Sequence, residues 1–443
     1  MNTMPLERYA DYRESGAEWL GEVPAHWELT RNKKVFQERG SLSQSGEETL
    51  LTVSHITGVT RRSEKNVNMF MAETMEGYKL CKIGDLIINT MWAWMGALGT
   101  TRENGICSPA YGVYAPRNFV PYSHRYFDYL YRTPNAISEM TRNSKGIVSS
   151  RLRLYPKEFF QIPIALPSYD EQFRIAAYLD TKTALIDREI DLLSQKTMQY
   201  SKLKQSMINE TVMRGLDKSV RMKDSGVEWI GPVPAHWGLK RLKELTDIQN
   251  SNVDKKSHEH EVAVRLCNYV DVYKNDFIND TIEFMWATAD DSEAKKFQIR
   301  KDDVLLTKDS ETCEDIAIPA LVTETLEGVV CGYHLAQFRT NKNHLLGSYL
   351  FRLFQSKSYG FRFIIAAKGI TRVGLGQSAI ADALTPVPPL PEQQSIIAYL
   401  DEKTTQIDRV VSAISIKIGK LKELRTALIN DVVTGKIKVV SEG

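Results

Sequence analysis

Residues 14–27 read ESGAEWLGEVPAHW, and residues 224–237 read DSGVEWIGPVPAHW. Ten of the fourteen aligned positions are identical at an offset of 210, including both tryptophans and the histidine of each copy, His26 and His236. A dense match at a fixed offset indicates an internal repeat. The repetition of the histidine favours a packing role, because the sequence offers no catalytic partner for it. The chain is therefore predicted to hold two copies of one fold.

A second pair of segments repeats further along. Residues 171–188 read EQFRIAAYLDTKTALIDR, and residues 392–409 read EQQSIIAYLDEKTTQIDR, at an offset of 221. The middles of the two halves align only in fragments: KIGDLIIN at 82–89 with RKDDVLLT at 300–307, and KGI at 145–147 with KGI at 368–370. This pattern predicts two domains of one fold with diverged surfaces, arranged with pseudo-two-fold symmetry.

The repeated connectors carry a coiled-coil pattern. In the second connector, Leu400, Ile407, Ile414, Leu421 and Leu428 recur every seven residues, and Thr404, Val411 and Ile418 follow the first three by four. This a/d spacing has the period of a helical seam. The first connector keeps the same frame with a more polar seam, and its positions are Leu179, Thr183, Ile186, Ile190, Leu193, Thr197, Tyr200 and Met207.

Each connector is predicted to be a helix of about 40 residues, roughly 60 Å long. Glu171 and Glu392 suit the helix N-termini, and Gly215 and Gly435 suit the ends. We expect the two helices to pack antiparallel within the chain, although two unrelated core helices or helices that dimerise between chains would show the same pattern. The predicted division is a first domain at 1–168, a first spacer helix at 169–215, a second domain at 216–390, and a second spacer helix with a tail at 391–443.

Composition places the chain among folded proteins. Of 443 residues, 42 % are hydrophobic and 25 % are charged, and the net charge of +2 does not by itself point to a partner. We expect no signal peptide and no membrane span, since no apolar run is long enough. Five widely spaced cysteines without a CxxC pair argue against a disulfide framework or a zinc ribbon. A cytoplasmic location follows as an expectation.

Catalytic signatures are absent from the sequence. There is no GxGxxG, no P-loop, no GxSxG and no HExxH, and no Asn-Pro-Pro-aromatic tetrapeptide of an amino-methyltransferase. The predicted catalytic and metal sites are therefore none.

Positive charge is concentrated in two corresponding windows. Residues 140–157 and residues 346–381 each hold five basic side chains and no acidic one, and each contains the Lys-Gly-Ile element. Cationic, hydroxyl and amide side chains contact phosphates and base edges in DNA. A solvated basic face is the plain alternative, but the repetition favours nucleic-acid binding. The candidate DNA-binding residues of these windows are Lys145, Ser149, Ser150, Arg151, Arg153, Lys368, Thr371, Arg372 and Gln377.

A second candidate surface follows the strand-like segments 86–89 and 304–307. Thr90, Trp92 and Trp94 come after the first segment, and Lys308 comes after the second. The position is shared while the side chains differ, as in a recognition loop with two targets, although both tryptophans are somewhat better explained as core. Asn268 is a further candidate, with weaker ones at His55, Arg61, Arg62 and Lys274.

The paired S-G-x-E-W-[LI]-G-x-V-P-A-H-W motif and the paired EQ…IAYLD…KT…IDR helices resemble the DNA-specificity subunit of type I restriction–modification systems. The resemblance covers essentially the whole chain. Residues 85–89, followed by MWAWMGALG and then by SPAY at 108–111, also look like one target-recognition subtype. The fold implied is α+β: two similar α/β target-recognition domains joined by two long antiparallel coiled-coil helices.

The resemblance also implies partners. Each domain would read one half of a bipartite, asymmetric target in double-stranded DNA. The helices would set the spacing and dock two methyltransferase subunits, through surfaces near Leu179, Ile186, Leu193, Leu400, Ile407, Ile414 and Leu421. Motor–nuclease subunits would join for cleavage. The chain itself would bind no cofactor, because S-adenosylmethionine belongs to the methyltransferase and ATP and Mg²⁺ belong to the motor–nuclease.

Three other functions remain open at this level. The chain could be a stand-alone regulator of a bipartite operator, a coiled-coil adaptor whose domains bind proteins, or an enzyme of unrecognised type. Association with a methyltransferase separates the specificity subunit from the first, and sequence-specific DNA binding excludes the second. Methylation by the purified chain alone would revive the third.

Overall fold

The computed structural model describes residues 7–65, 74–148 and 151–439. These residues form two compact units. Unit 1 comprises residues 1–193 and 416–443, and unit 2 comprises residues 194–415. The unit boundaries at 193/194 and 415/416 fall inside the two long helices, Tyr169–Arg214 and Leu390–Val433. Each long helix is therefore divided between the two units.

The helices of unit 1 are short except for the connector. They are α1 (Asn32–Val35), α2 (His124–Tyr131), α3 (Pro134–Asn143), α4 (Pro156–Gln161) and the first part of α5 (Tyr169–Arg214). Its strands are β1 (Tyr12–Glu14), β2 (Glu22–Pro24), β3 (Glu28–Arg31), β4 (Phe36–Glu38), β5 (Leu51–Ser54), β6 (Gly58–Arg61), β7 (Lys79–Cys81), β8 (Leu86–Asn89), β9 (Leu98–Thr100), β10 (Gly105–Cys107), β11 (Tyr111–Pro116) and β12 (Pro163–Leu166).

Unit 2 has a corresponding set of helices and additional strands. Its helices are α6 (Leu242–Leu245), α7 (Tyr269–Lys274), α8 (Asp291–Lys296), α9 (Gly347–Gln355), α10 (Lys357–Ala366), α11 (Gln377–Ala381) and the first part of α12 (Leu390–Val433). Its strands are β13 (Met222–Asp224), β14 (Pro232–Pro234), β15 (Gly238–Arg241), β16 (Thr246–Asn250), β17 (Val262–Cys267), β18 (Phe277–Ile278), β19 (Met285–Ala289), β20 (Val304–Thr307), β21 (Asp309–Ser310), β22 (Pro319–Val322), β23 (Val329–Cys331), β24 (Leu335–Thr340), β25 (Val373–Gly374) and β26 (Leu384–Val387).

The main sheets of the two units share four antiparallel strands in the same order, and unit 2 adds β18 at one edge, parallel to β22. The order is β4-β11-β8-β9 in unit 1 and β16-β24-β20-β22-β18 in unit 2, and each central strand is buried along its whole length. The aligned fragments KIGDLIIN and RKDDVLLT end in β8 and β20, so the repeat detected in the sequence marks the centre of each sheet. The predicted fold class of two similar α/β domains joined by two long helices is confirmed.

The two units differ where the sequence diverges. Unit 2 carries a separate three-stranded sheet, β19-β17-β23, over its own hydrophobic core. Unit 1 has only the hairpin β5–β6 and the pair β10–β7 there, over a smaller core. The diverged middles therefore correspond to different subdomains on one shared sheet.

The repeated motifs bind each other inside each unit. In unit 1, Glu171 at the start of α5 lies 3.0 Å from Nε2 of His26 and accepts a hydrogen bond of 3.2 Å from Nε1 of Trp27. In unit 2, Glu392 makes the same contacts with His236 at 2.7 Å and with Trp237 at 3.0 Å. We call these the unit 1 junction and the unit 2 junction. The repeated histidines thus have the packing role that the sequence indicated.

Each junction also receives the end of the other long helix. In unit 1, α12 ends at Val433, whose carbonyl accepts from the Tyr126 hydroxyl at 3.0 Å. In unit 2, α5 ends at Arg214, and the Val212 carbonyl accepts from Tyr349 at 2.9 Å. Gly215 has a φ of +77°, and a side chain there would meet Glu392 and Trp237 at 2.9 and 3.3 Å, so glycine is needed for the close approach.

The coiled-coil seam is present within each unit. In unit 1, Arg425 of α12 pairs with Asp187 of α5 and Lys417 pairs with Glu189, so the two helix segments run in opposite directions. In unit 2, the α5 residues Ile208 and Val212 share a core with Ile396 and Leu400 of α12. The predicted seam positions Leu179, Thr183, Leu400, Thr404, Ile407 and Ile414 are buried, and Ile186, Leu193 and Leu421 are half-buried.

Candidate nucleic-acid interface

A short closed loop carries the basic window of each unit. In unit 1, Lys145 and Arg153 exchange two backbone hydrogen bonds of 2.9 and 2.8 Å. In unit 2, Lys368 and Gly374 do the same at 3.0 and 2.9 Å. We call residues 145–148 and 151–153 the unit 1 tip loop and residues 368–374 the unit 2 tip loop. Their cationic side chains Lys145, Arg151, Arg153, Lys368 and Arg372 are exposed.

The structure brings the two predicted candidate surfaces together in each unit. In unit 1, the amide of Leu154, just after the tip loop, donates to the Thr90 carbonyl at 3.1 Å. In unit 2, the amide of Leu375 donates to the Lys308 carbonyl at 2.8 Å, and β21 pairs with β25. Both tip loops therefore lie beside the loop that follows the central strand. The basic window and the segment after the central strand are both repeated, but nothing in the sequence predicted that they lie side by side.

Side chains of the unit 2 tip loop are held in place by neighbours. Arg372 Nε donates to Asp309 at 2.8 Å, and Arg372 Nη2 lies 3.1 Å from the ring nitrogens of His334. Burial, together with the charge of Arg372, lowers the pKa of His334 below its usual range although Asp309 opposes the shift. The guanidinium is thus oriented by groups of β21 and the loop before β24.

Lys308 is less available than the sequence indicated. Its Nζ donates to the Ser251 carbonyl at 3.1 Å, and burial lowers its pKa. Asn268 occupies the N-cap position of α7 and is half-buried. The next residue, Tyr269, places its hydroxyl 3.2 Å from Ser310 Oγ. Thr371 and Gln377 are exposed.

The two candidate tryptophans after β8, Trp92 and Trp94, differ in exposure. Trp92 is 49 % exposed, so the interpretation of this residue as core is wrong. It sits on a tight turn just before a 3₁₀ helix (Ala93–Met95), which turns the ring outward. Trp94 is half-buried and donates to the Met91 carbonyl at 3.0 Å. Ser149 and Ser150 lie outside the described residues.

A buried aspartate precedes each central strand, and sequence reasoning missed it. Asp85 is 1 % exposed and pairs with Arg39 at 2.6 Å, while the equivalent Asp303 pairs with Arg339 at 2.8 Å. Arg39 follows β4, whereas Arg339 lies on β24, so the partner comes from different strands. The aspartate was visible as the only acidic residue shared by the aligned fragments, but its partner was not.

The long helices expose apolar side chains away from the seam. In unit 1, Leu185 and Leu192 are 54 % and 57 % exposed, seven residues apart on α5. In unit 2, Met198 and Leu203 of the same helix are 58 % and 55 % exposed. Leu185 and Leu192 form a short stripe on one face of α5, whereas Met198 and Leu203 lie on different faces. Exposed apolar side chains on a charged helix are candidates for contact with another protein.

No helix among the described residues is long and apolar enough to cross a membrane. All five cysteines are free thiols.

Comparison with known proteins finds one matching family model and two curated relatives. Residues 234–418 match the sequence model of the type I restriction modification DNA specificity domain. The chain is 22 % identical over 288 residues to the type I restriction enzyme MjaVIII specificity subunit of Methanocaldococcus jannaschii, covering 64 % of each chain. It is 23 % identical over 213 residues to the putative MjaX specificity subunit of the same organism, covering 44 % of this chain and 47 % of that one. The chain thus spans less than two thirds of the curated relatives it matches.

Two solved structures share the fold. One, from work on complex assembly and conformational transition of the type I R-M system, has a TM-score of 0.68 at 16 % identity and covers 93 % of this chain and 98 % of its own. The HsdS subunit of Thermoanaerobacter tengcongensis has a TM-score of 0.52 at 15 % identity and covers 94 % and 98 %. The resemblance inferred from the repeated motifs is confirmed as a similarity: residues 234–418 match the type I restriction modification DNA specificity domain, and the fold of the chain matches that of an HsdS subunit.

Proposed function

We propose that this chain directs a type I restriction–modification complex to a bipartite DNA sequence. Each unit reads one half-site through its tip loop and the neighbouring loop after the central strand. The observation that carries the proposal is that one scaffold presents two different loop surfaces at equivalent positions. Thr90 and Trp92 stand in unit 1 where Lys308 and Ser310 stand in unit 2.

The charge of the tip loops supports DNA as the ligand. Five exposed cations lie on loops closed by paired backbone hydrogen bonds. Cations on a surface loop release counterions from DNA when they meet phosphates. Since the net charge of the whole chain is only +2, this attraction is local.

We propose that the chain contributes specificity and no catalytic step. The adenine would be methylated by a partner methyltransferase that holds S-adenosylmethionine, and cleavage would belong to a motor–nuclease that uses ATP and Mg²⁺. An adenine inside a duplex has to be flipped out before N6 can react, and that step belongs to the methyltransferase in this proposal.

The first experiment is sequencing of adenine methylation in host DNA with and without this gene. Loss of one bipartite motif with the gene supports the proposal and gives the target in one step. Retention of every motif calls for binding of the purified chain to random DNA. If no sequence is then enriched, the proposal is wrong.

The exposed apolar side chains of α5 are proposed as docking surfaces for two methyltransferase subunits. The unit 1 surface is the stripe of Leu185 and Leu192, and the unit 2 surface carries Met198 and Leu203. Changing both leucines to glutamate places charge in one interface only. We expect native mass spectrometry of the co-expressed complex to show one methyltransferase copy instead of two, and the unit 2 double change to give the same result.

Ile56→Glu is the matched control for docking. Ile56 is 74 % exposed in unit 1 but lies in the turn between β5 and β6, away from the helices. This variant keeps both methyltransferase copies if the exposed side chains of α5 are the docking surfaces. Retention of both copies by the α5 variants would show that docking occurs elsewhere.

We also propose that the helices set the spacing between the half-sites. Removing one heptad from each helix keeps the seam in register and shortens each by about 10 Å, which equals roughly three base pairs. The methylated motif should then have a shorter spacer. An unchanged spacer length in the methylation data would overturn this part of the proposal.

A further inference from the structure

The two tip loops share a feature that charge does not explain. Ile147 and Ile370 follow the glycine of each Lys-Gly-Ile element, and their relative exposures are 104 % and 103 %. An isolated exposed isoleucine is ordinary, but the same residue fully exposed at the equivalent place in two diverged units is not. The loops differ in length, since Arg153 closes one and Gly374 closes the other.

Loop closure explains why glycine precedes each isoleucine. A Cβ on Gly146 would lie 2.8 Å from the Arg151 carbonyl oxygen, and a Cβ on Gly369 would lie 1.8 Å from that of Arg372. Gly369 also has a φ of +141°, which L side chains rarely adopt. Only glycine permits the backbone to close this tightly, and the closure leaves the next side chain at the tip.

Cationic side chains lie beside both tips, and in unit 2 Arg372 is exposed while its Nε is paired with Asp309. Lys145 precedes Ile147 by two residues, and Arg151 and Arg153 follow on the returning strand of the loop. Lys368 and Arg372 flank Ile370 in the same way. Such a loop combines cations at phosphate-binding positions with an apolar tip between them. The apolar surface that lies between two rows of phosphates is the base stack.

On the basis of the proposed function, we propose that Ile147 and Ile370 are wedges that enter the DNA and partly unstack one base step in each half-site. Apolar side chains of this size unstack base steps in other protein–DNA complexes, and the cations beside them hold the backbone. Each wedge belongs to one unit, so each acts on one half-site.

The test uses the full chain co-purified with its methyltransferase and a duplex carrying the bipartite motif found by methylation sequencing. Ile147→Ala and Ile370→Ala are each expected to weaken specific binding roughly tenfold or more. Thermal unfolding stays unchanged, because the side chains touch nothing in the protein. Ile56→Ala, an exposed isoleucine of unit 1 off the tip loop, serves as the control and binds as the wild type does.

A pre-distorted duplex separates a wedge from a simple contact. A base step that is already disrupted costs less to unstack. An abasic position scanned through the half-site read by unit 1 should therefore restore binding of Ile147→Ala at one step, and leave the defect of Ile370→Ala unchanged. An abasic position scanned through the half-site read by unit 2 should restore binding of Ile370→Ala at one step and leave the defect of Ile147→Ala unchanged.

Three results would overturn the wedge. The isoleucine variants could bind as Ile56→Ala does, while wild-type binding stays specific; the proposed function then stands without the wedge. The defect could persist at every abasic position, which would make the isoleucines plain contacts. The variants could lose the methyltransferase subunit instead, which would make the tips a protein interface. If the wild-type complex binds no specific duplex, the proposed function itself fails.

Discussion

At the scale of residues, the repeated pair Glu-Gln at the start of each long helix has two separate tasks. The glutamate holds the His-Trp pair at each junction. The glutamine holds the domain: Gln393 Oε1 accepts from the Leu346 amide at 2.9 Å, and its Nε2 donates to the carbonyls of His344 and Pro388, each at 2.9 Å. Gln172 makes the equivalent bonds to Ser123, Pro121 and Pro167. These bonds explain why the Glu-Gln pair is identical in two halves whose other residues have diverged.

Replacing the buried glutamine tests this assignment. Gln393→Ala leaves an amide and two carbonyls without their partner, and we expect it to lower the free energy of unfolding of unit 2 by about 2–3 kcal/mol. Gln394→Ala is the matched control, because Gln394 is exposed on the same turn. Chemical denaturation of both variants measures the difference. Equal stability of the two variants would contradict the assignment.

The unit 1 junction also predicts a pH dependence. Burial opposes ionisation of Glu171, but hydrogen bonds from His26, Trp27 and Ser168 outweigh it and hold its pKa below the usual range. A carboxylate with a lowered native pKa stabilises the fold above its ordinary value of about 4.3, and this contribution disappears as the pH falls through the native value.

Unfolding of Glu171→Gln against pH measures that contribution. We expect the wild type to exceed the variant in stability at pH 7 by about 1 kcal/mol, a value kept small because the carboxylate is only partly buried. The two should converge as the pH falls below 4. Glu22→Gln, at an exposed carboxylate of β2, should show no such convergence. A constant difference for Glu171→Gln at all pH values would show that its charge has no part in the junction.

At the scale of elements, the first turns of the long helices belong to the domains. Thr183 Oγ1 lies 3.3 Å from the Tyr129 hydroxyl, and Thr404 Oγ1 accepts from Arg352 at 3.3 Å. Arg352 is buried and also binds Asp401 at 2.6 Å. The two polar seam positions Thr183 and Thr404 are therefore contacts to the domains. The same heptad positions pack against the domain at the start of each helix and against the other long helix further along.

A pair of leucines on α12 distinguishes the buried face of this helix from its exposed face. Leu400 is fully buried in the core of unit 2, whereas Leu424 is 54 % exposed. Leu400→Ala should lower the free energy of unfolding by about 3 kcal/mol through the lost burial and the cavity left behind. Leu424→Ala should change it by less than about 0.5 kcal/mol. Thermal or denaturant unfolding checks both values, and similar losses would show that the assignment of faces is wrong.

The sequence could predict the helices because periodicity is a local property. The frame of seven and the glycines after each helix placed α5 and α12 within a residue or two. The sequence could not show that the tip loops lie beside Thr90 and Lys308, because these contacts join positions that are 64 residues apart in unit 1 and 67 residues apart in unit 2. The Arg partner of each buried aspartate was hidden for a further reason: the ion pair is kept while the strand that supplies the arginine changes.

At the scale of the whole molecule, unit 1 is assembled from two distant parts of the chain. Val432 and Val433 lie in its core, the Gly435 carbonyl accepts from the Tyr12 hydroxyl at 3.0 Å, and the Lys438 amide donates to the Glu7 carbonyl at 2.8 Å. Unit 2 is completed in the same way by the last turns of α5, through Ile208, Val212 and Met213. Each unit thus takes the final turns of one helix and the first turns of the other.

Deleting residues from Ile416 onward tests this interdependence. Two fully buried valines alone contribute about 3 kcal/mol or more to unit 1. We expect hydrogen exchange to show lost protection of β8 at Leu86–Asn89 while β20 at Val304–Thr307 keeps its protection. Unit 2 of the same molecule is the internal control. Equal protection of both strands would show that unit 1 folds without the end of α12.

The junctions have a consequence for how such a gene changes. Because His-Trp and Glu-Gln are identical in the two halves and bracket each variable middle, homologous recombination at these stretches replaces the middle and leaves every junction bond intact. The buried ion pair travels inside the exchanged segment, since Asp85 and Arg39, or Asp303 and Arg339, both lie between the two motifs. A crossover at these motifs would therefore exchange a whole middle, together with its buried ion pair, without changing a residue of either junction.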